Sequence, residues 1–422
     1  MSSSRGEAMK QMIVNCESKF TQMALIEEGK LVEFAAERSQ SESLVGSFYK
    51  GRVVNVLPGM QAAFVDIGHK KNAFLYVDDV LHPHLEKQPK VKPSIEELLK
   101  VGQEIVVQVM KESLRGKGPR VTTHYSLPGR WIVYMPIADY VAVSKKVLRE
   151  NERTRLKILC EQLRFRGEGI IVRTVSQDES TDAIKSDLDL LRQLWSNIQG
   201  KAKNAEAPSL LHQDLSIVQR HIRDVLNPTE DELIINNVKE AAVVERYLSE
   251  MGQGIHLPVK VHESSESIFK QYGVLEQLDK GLSRKVSLAS GGTIVWDHTE
   301  ALTVVDVNTS KYTGGYNLEE TVTLTNIQAA EEIARLIRLR DVGGIIVIDF
   351  IDMEQEIHRQ NVVEALEAVM KKDRAKSQIV GWTKLGLLEL TRKKVREDTS
   401  VLLDKTCETC SGTGRITANI IH

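Results

Sequence analysis

Cysteine is scarce in this chain, and the scarcity excludes a disulfide framework: four cysteines in 422 residues cannot staple a fold. Two of them, Cys16 and Cys160, stand without a motif around them and read as core thiols. Long apolar runs are missing as well. No stretch approaches the roughly 18 uncharged apolar residues that cross a bilayer, and the opening MSSSRGEAMKQMIVN lacks the apolar centre of a signal peptide. The expected address is cytoplasmic, with no membrane span. An excess of either charge is also lacking: the formal net charge is −2, so overall charge says nothing about a nucleic-acid partner.

What is present is a globular composition. With 41% hydrophobic and 27% charged residues the chain lies far from the disordered regime, and its length suits roughly two to four modules. Basic residues do gather locally. Lys371, Lys372, Arg374, Lys376, Lys384, Arg392, Lys393, Lys394 and Arg396 face only Asp373 and Glu389 as acids in the same stretch. Such a run is either a solvated face or a surface for an acidic polymer.

The chain opens on alternating strand patterns, 12–15, 20–27 and 31–37, the last two joined at Gly29-Lys30. From Gly46, short β-branched and aromatic runs are broken by Pro58-Gly59, Gly68-His69 and Lys70-Lys71-Asn72, and a further strand follows over 102–110. This reads as a small five-stranded barrel, for which the OB-fold is the natural candidate. Residues 119–175 mix strands (131–135, 170–174) with a helix (150–164); 179–225 looks strongly helical, and another helix follows over 237–251, past a boundary near Asn227. From Lys285 come three closely spaced strands, a long helix over 318–340, the apolar strand IIVIDF and a helix over 354–371. That half reads as an α/β layer, with IIVIDF in the middle of a covered sheet.

Two of these strands end in carboxylates: LTVVDVN brings Asp306 and Asn308, and IIVIDFIDM brings Asp349 and Asp352. A carboxylate that follows four or five apolar residues is costly without a partner, and strand ends of α/β sheets are where ligands sit. Magnesium accepts one or two carboxylates, keeps several waters, and suits phosphodiester cleavage. On spacing alone the bland reading stands beside this one: Asp306 caps a turn, and Asp349 pairs with Arg338 or Arg340. Asp352 is read as the cap of the next helix.

The wording of three segments goes further. ALTVVDVNTSKYTGG, then EEIARLIRLRDVGGIIVIDFIDM, then CETCSGTG closely resemble the catalytic half of the ribonuclease E/G family in a short form, and the likeness runs through nearly the whole chain. The resemblance implies an α/β multidomain fold: an RNase H-like subdomain split over 9–40 and 215–280, an inserted OB-fold RNA-binding barrel at 41–118, a 5′-sensor region at 119–214, a DNase I-like catalytic domain at 281–400 and a zinc hook at 401–422. It implies Asp306 and Asp349 as Mg2+ ligands, assisted by Asn308. It places Phe64, Phe74 and Lys117 against RNA, and Gly129, Val133, Arg173 and Thr174 in a pocket for a 5′-monophosphate; without it, IIVRT is an ordinary strand ending in a solvated Arg, and Phe64 and Phe74 could be barrel core. The CxxC of Cys407 and Cys410 supplies half of a zinc site, which the family completes by sharing Zn2+ between two protomers; a redox dithiol or completion by His422 are the alternatives.

The implied activity is Mg2+-dependent endoribonucleolytic hydrolysis of single-stranded, A/U-rich RNA to 5′-phosphate and 3′-hydroxyl ends, in rRNA processing and mRNA decay. Ending at His422, the chain is expected to lack the family's longer degradosome scaffold and to form a zinc-linked homodimer. The rival from another class is a non-catalytic RNA-binding scaffold or assembly protein.

Overall fold

A computed structural model describes residues 9–38, 44–84, 88–89, 91–111, 118–227, 229–251, 256–299, 301–309, 318–394 and 398–399, together with 403, 405, 407–410, 412 and 414. The chain forms two compact units. One comprises Met1–Ala36, Glu230–Ala241 and Pro258–His422; the other comprises Glu37–Thr229 and Ala242–Leu257.

In the second unit the strand Phe48–Leu57 pairs with both Ala62–Asp66 and Glu104–Lys111, so the sheet that continues through Ala73–Tyr76 and Arg120–Thr122 closes on itself. This is the five-stranded, OB-like barrel that the sequence implies. Its interior is the inward half of a period-two pattern: Val53, Ala63, Val65, Ala73, Leu75, Val107, Val109 and Val121 are all buried. Beside it lies a four-stranded sheet ordered Val141–Val143, Gly169–Val172, Ile132–Met135, Leu127–Pro128. Its core includes Leu156 and Cys160 of the helix Glu150–Leu163, and Ile184, Leu188 and Leu191 of the helix Thr181–Asn204. Helix does not fill 179–225 as the leucine spacing implies. It stops at Asn204, and Ser209–His212, just past Pro208, is instead a strand on the outer edge of Phe48–Leu57; proline cannot continue a helix.

The first unit holds two sheets. Lys10–Cys16, Phe20–Glu27 and Lys30–Arg38 form an antiparallel meander, extended in parallel by Glu232–Ile235 and Val259–Val261. The six-stranded sheet runs Lys285–Ser287, Thr293–His298, Leu302–Asn308, Gly344–Asp349, Leu388–Arg392, Ser377–Trp382. Both contribute to one hydrophobic core, at whose centre the helix Leu318–Leu339 buries Ala329, Ala330, Ile333, Ala334, Leu336 and Ile337 completely. The strand IIVIDF is central in its sheet but not covered on both faces. Ile346 and Ile348 are fully buried, whereas Ile345 between strands of the same sheet is 49% exposed.

Candidate functional site

The acidic residues are brought together by strand register. Leu302–Asn308 and Gly344–Asp349 are parallel neighbours, and Asp306 stands opposite Asp349. Residues paired in this way project from the same face. That face is the one away from the core, because the intervening residues Thr303, Val305, Val307, Ile346 and Ile348 turn inward and are buried. The alternation also corrects the expected desolvation: Asp306 is half-buried and Asp349 exposed, so their tension comes less from burial than an unbroken apolar run implies. Burial and then the neighbouring charges of Asp306 and Asp352 raise the Asp349 carboxyl above its ordinary range. Asn308 Nδ2 donates to Asp306 Oδ2 at 2.6 Å.

Arg338 and Arg340 do not neutralise this cluster. Arg338 forks onto Glu27 and Glu33, at 3.0 and 3.2 Å. Arg340 donates to the carbonyls of Gly281 and Ser283 and lies 4.5 Å from the Trp296 ring centroid. Nor does Asp352 cap the next helix. The cap position of Glu356–Met370 is Gln355, and the N–H groups of Glu354 and Gln355 donate to Glu319 Oε1, at 3.1 and 3.2 Å. Asp306, Asp349 and Asp352 have no ion-pair partner among the described residues. No three His, Cys, Asp or Glu side chains there converge tightly enough to enclose a metal on their own. Two adjacent carboxylates with uncompensated charge could hold a magnesium ion, which takes one or two protein carboxylates and keeps most of its water.

On the barrel, Phe64 and Phe74 face each other across paired strands with ring centroids 5.9 Å apart. Both lie on the outer half of the alternation, between inward Ala63, Val65, Ala73 and Leu75, which removes the barrel-core alternative. Lys117 lies outside the described residues. Next to it, Gly118 passes so close to Asn72 that a Cβ would stand 1.9 Å from the Asn72 carbonyl oxygen, so only glycine fits there.

Arg173 is not the solvated strand end of the bland reading. Its Nη1 donates to the Gly129 carbonyl at 2.6 Å and its Nη2 pairs with Asp224 at 2.7 Å, while the Thr174 hydroxyl bonds that of Ser144 at 2.8 Å. Burial opposes ionisation of Asp224, but Arg223 and Arg173 outweigh it and hold the carboxyl well below its usual range. The Gly129 N–H is already engaged, donating to the Ile132 carbonyl at 2.8 Å. Gly129 must be glycine because Asp187 packs against it, 2.4 Å from where a Cβ would lie. That carboxylate accepts N–H bonds from Arg130, Trp131 and Ile132 and so fixes the turn leading to Val133.

Cys160 is buried, and burial pushes its thiol up to about 12. Cys16 is only half-buried at a strand end. Cys407 is exposed, and backbone N–H groups of Cys410 and then Thr409 hold its thiol below the ordinary range; Gly414 N–H donates to Cys410 Sγ at 3.4 Å. The basic stretch divides in two. Arg392 is internal, bonded to Asp373 and Asp341 at 2.6 and 2.7 Å, whereas Lys371, Lys372, Lys376, Lys384 and Lys393 are exposed.

The profile described as "Ribonuclease E/G family" matches residues 126–395. Ribonuclease G of Haemophilus influenzae is 39% identical over 413 residues, covering 96% of this chain and 84% of that protein. Ribonuclease G of Escherichia coli matches with the same identity and coverage, 39%, 96% and 84%. Ribonuclease E of Synechocystis is 38% identical over 383 residues, covering 90% of this chain and 56% of that protein. Among the described residues no helix is long and apolar enough to cross a membrane.

Proposed function

The chain belongs to the ribonuclease E/G family, and we propose on that premise that it is an endoribonuclease of RNA processing that hydrolyses single-stranded, A/U-rich RNA with Mg2+ and favours 5′-monophosphorylated ends. The observation that carries this reading is the register pairing of Asp306 with Asp349 on the outward face of the sheet, with no cation to neutralise them among the described residues. Asp306 and Asp349 would hold the ion, which when bound would polarise the phosphodiester and make a water easier to deprotonate. Asn308 fixes one oxygen of Asp306 and so orients that carboxylate. Its amide is also suited to steadying the scissile phosphate. The direct test is incubation of a 5′-monophosphorylated A/U-rich oligonucleotide with and without Mg2+, with analysis of the product ends. Products bearing 5′-phosphate and 3′-hydroxyl termini are expected only with the ion; RNA binding without cleavage under all ionic conditions would make the chain a non-catalytic scaffold.

Phe64 and Phe74 are assigned to stacking on bases, and Lys117 to a cationic contact with the RNA backbone. Base stacking on an aromatic contributes roughly 1–3 kcal/mol. Phe64→Ala or Phe74→Ala is therefore expected to weaken RNA binding about 5- to 150-fold, measured by fluorescence anisotropy without divalent ions; wild-type affinity in both would remove the barrel face from the site.

Arg173, Thr174, Gly129 and Val133 are assigned to the 5′-phosphate. A guanidinium beside a hydroxyl suits a terminal phosphate. Arg173→Gln should bring cleavage of a 5′-monophosphorylated substrate down to the rate of its 5′-hydroxyl or 5′-triphosphate counterpart, with cleavage of the latter two little changed. Equal rates on all ends in the wild type would strike out this pocket.

Cys407 and Cys410 are assigned to a structural Zn2+ shared between two copies of the chain, a reading supported by the lowered Cys407 thiol, since thiolate is the ligating form. Metal analysis with native mass spectrometry is expected to give one zinc per two chains; one zinc per chain contradicts sharing.

A further inference from the structure

The segment between Asp349 and the helix Glu356–Met370 belongs to no strand or helix, yet it is held at two points by one neighbouring helix. Asn326, fully buried in Leu318–Leu339, makes a reciprocal pair with the Ile351 backbone: its Oδ1 accepts the Ile351 N–H at 3.1 Å and its Nδ2 donates to the Ile351 carbonyl at 2.8 Å. Seven positions earlier, two turns along the same helix face, Glu319 Oε1 accepts the N–H groups of Glu354 and Gln355 and a bond from His358 Nδ1 at 2.9 Å. Along 349–353, Phe350 and Met353 turn into the core, while Asp349 and Asp352 remain exposed. Three like charges, Asp306, Asp349 and Asp352, thus gather where this segment leaves its strand, and their repulsion favours splaying it.

We infer that Asn326 and Glu319 are positioning residues for the acidic site: together they clamp 351–355 so that Asp349 stays beside Asp306 in the spacing a divalent cation requires. The inference rests on the reading of Asp306 and Asp349 as ion ligands. A site whose ligands are already in place binds its ion without first reordering a loop. Asn326 supplies one donor and one acceptor to a backbone with no ladder partner, which neither a carboxylate nor an apolar side chain reproduces.

Mn2+ is the probe, its binding followed by electron paramagnetic resonance in the full chain, alongside the Mg2+ concentration for half-maximal cleavage. Asn326→Ser and Glu319→Ala are expected to weaken Mn2+ binding about 10- to 100-fold, as loss of an outer partner of a metal ligand does, and to raise the Mg2+ requirement in proportion. RNA affinity measured without divalent ions should stay unchanged, which a general loss of structure would not allow. Glu319→Gln, which keeps an acceptor for the two N–H groups, should restore most of the Mn2+ affinity. Should Asn326→Ser not fold, the partly exposed Glu319 decides the matter. Mn2+ affinity within twofold of wild type in Glu319→Ala and in any folded Asn326 variant overturns the clamp. Asp306→Asn separates the two levels: if it binds Mn2+ as the wild type does, the ion site itself is misassigned; if it does not while the clamp variants do, only the clamp is wrong.

Discussion

Asp306→Asn and Asp349→Asn are each expected to abolish RNA cleavage while RNA binding persists. Asn keeps the shape of the side chain and removes the charge that attracts the ion. The loss should therefore exceed the roughly 10- to 100-fold typical of a merely supporting residue. Single-turnover cleavage and anisotropy on the same oligonucleotide separate the two effects, and appreciable cleavage by either variant would sink the assignment. A second readout comes from linkage. The raised Asp349 carboxyl means that the folded, ion-free chain binds this proton more tightly than the unfolded one. The group therefore favours folding at low pH, and that contribution is lost as pH rises through its folded pKa. Asp349→Asn removes the repulsion on this side chain, so the ion-free variant should melt slightly above the wild type at neutral pH. The gain is small because the side chain is exposed and screened. Inactive yet more stable is the pattern of a site that trades stability for function. A clearly lower melting temperature would point to a structural role.

The largest loss of stability is expected at Arg392. Its Nε bonds Asp373 at 2.6 Å and its Nη1 bonds Asp341 and the Val342 carbonyl at 2.7 and 2.8 Å. The Arg392 side chain is 5% exposed and that of Asp373 only 2%. Arg392→Ala takes this cation from two carboxylates, one of them buried, and removing one partner of a buried pair costs about 3–5 kcal/mol. Denaturant unfolding should show this, whereas Lys372→Ala and Lys384→Ala, at exposed positions of the same stretch, should stay within about 0.5 kcal/mol. Similar small effects at all three positions would mean that Arg392 is solvated. By sequence these cations are indistinguishable. Only the fold sorts them into one that braces the sheet and several that face outward.

The same limit explains what could and could not be read from the chain. The strand-end carboxylates left a local trace, four apolar residues before Asp349, but spacing alone kept a turn cap or an arginine partner open, and Phe64 and Phe74 were placed by the family resemblance, with the barrel core as their alternative. IIVIDF was harder: with Ile and Val on both faces, a strand covered on one side has the same letters as one covered on two. Ser209–His212 was hidden by leucines that suit helix and strand alike, though Pro208 marked the break. Asp352 invited a capping role it does not fill; the N–H groups just ahead of the helix go to Glu319, more than thirty positions earlier in the chain. Asn326 did leave a trace: it is a lone amide in the apolar stripe of Val322, Ala329, Ala330 and Ile333. Its partner, a backbone 25 positions away, is not written in any local pattern.

Strand parity at the acidic pair has a consequence for how this chain can vary over descent. Because Asp306 and Asp349 reach the open face only through an alternation fixed by the buried Val305 and Ile348, inserting or deleting a single residue in either strand would send its carboxylate into the core and a valine or isoleucine outward. Length changes of one are forbidden there, those of two keep the face but displace the partner, and drift in length is confined to the loops. The two strands must therefore be inherited as a matched pair of fixed phase, even where the letters between their acids are free to change among apolar residues.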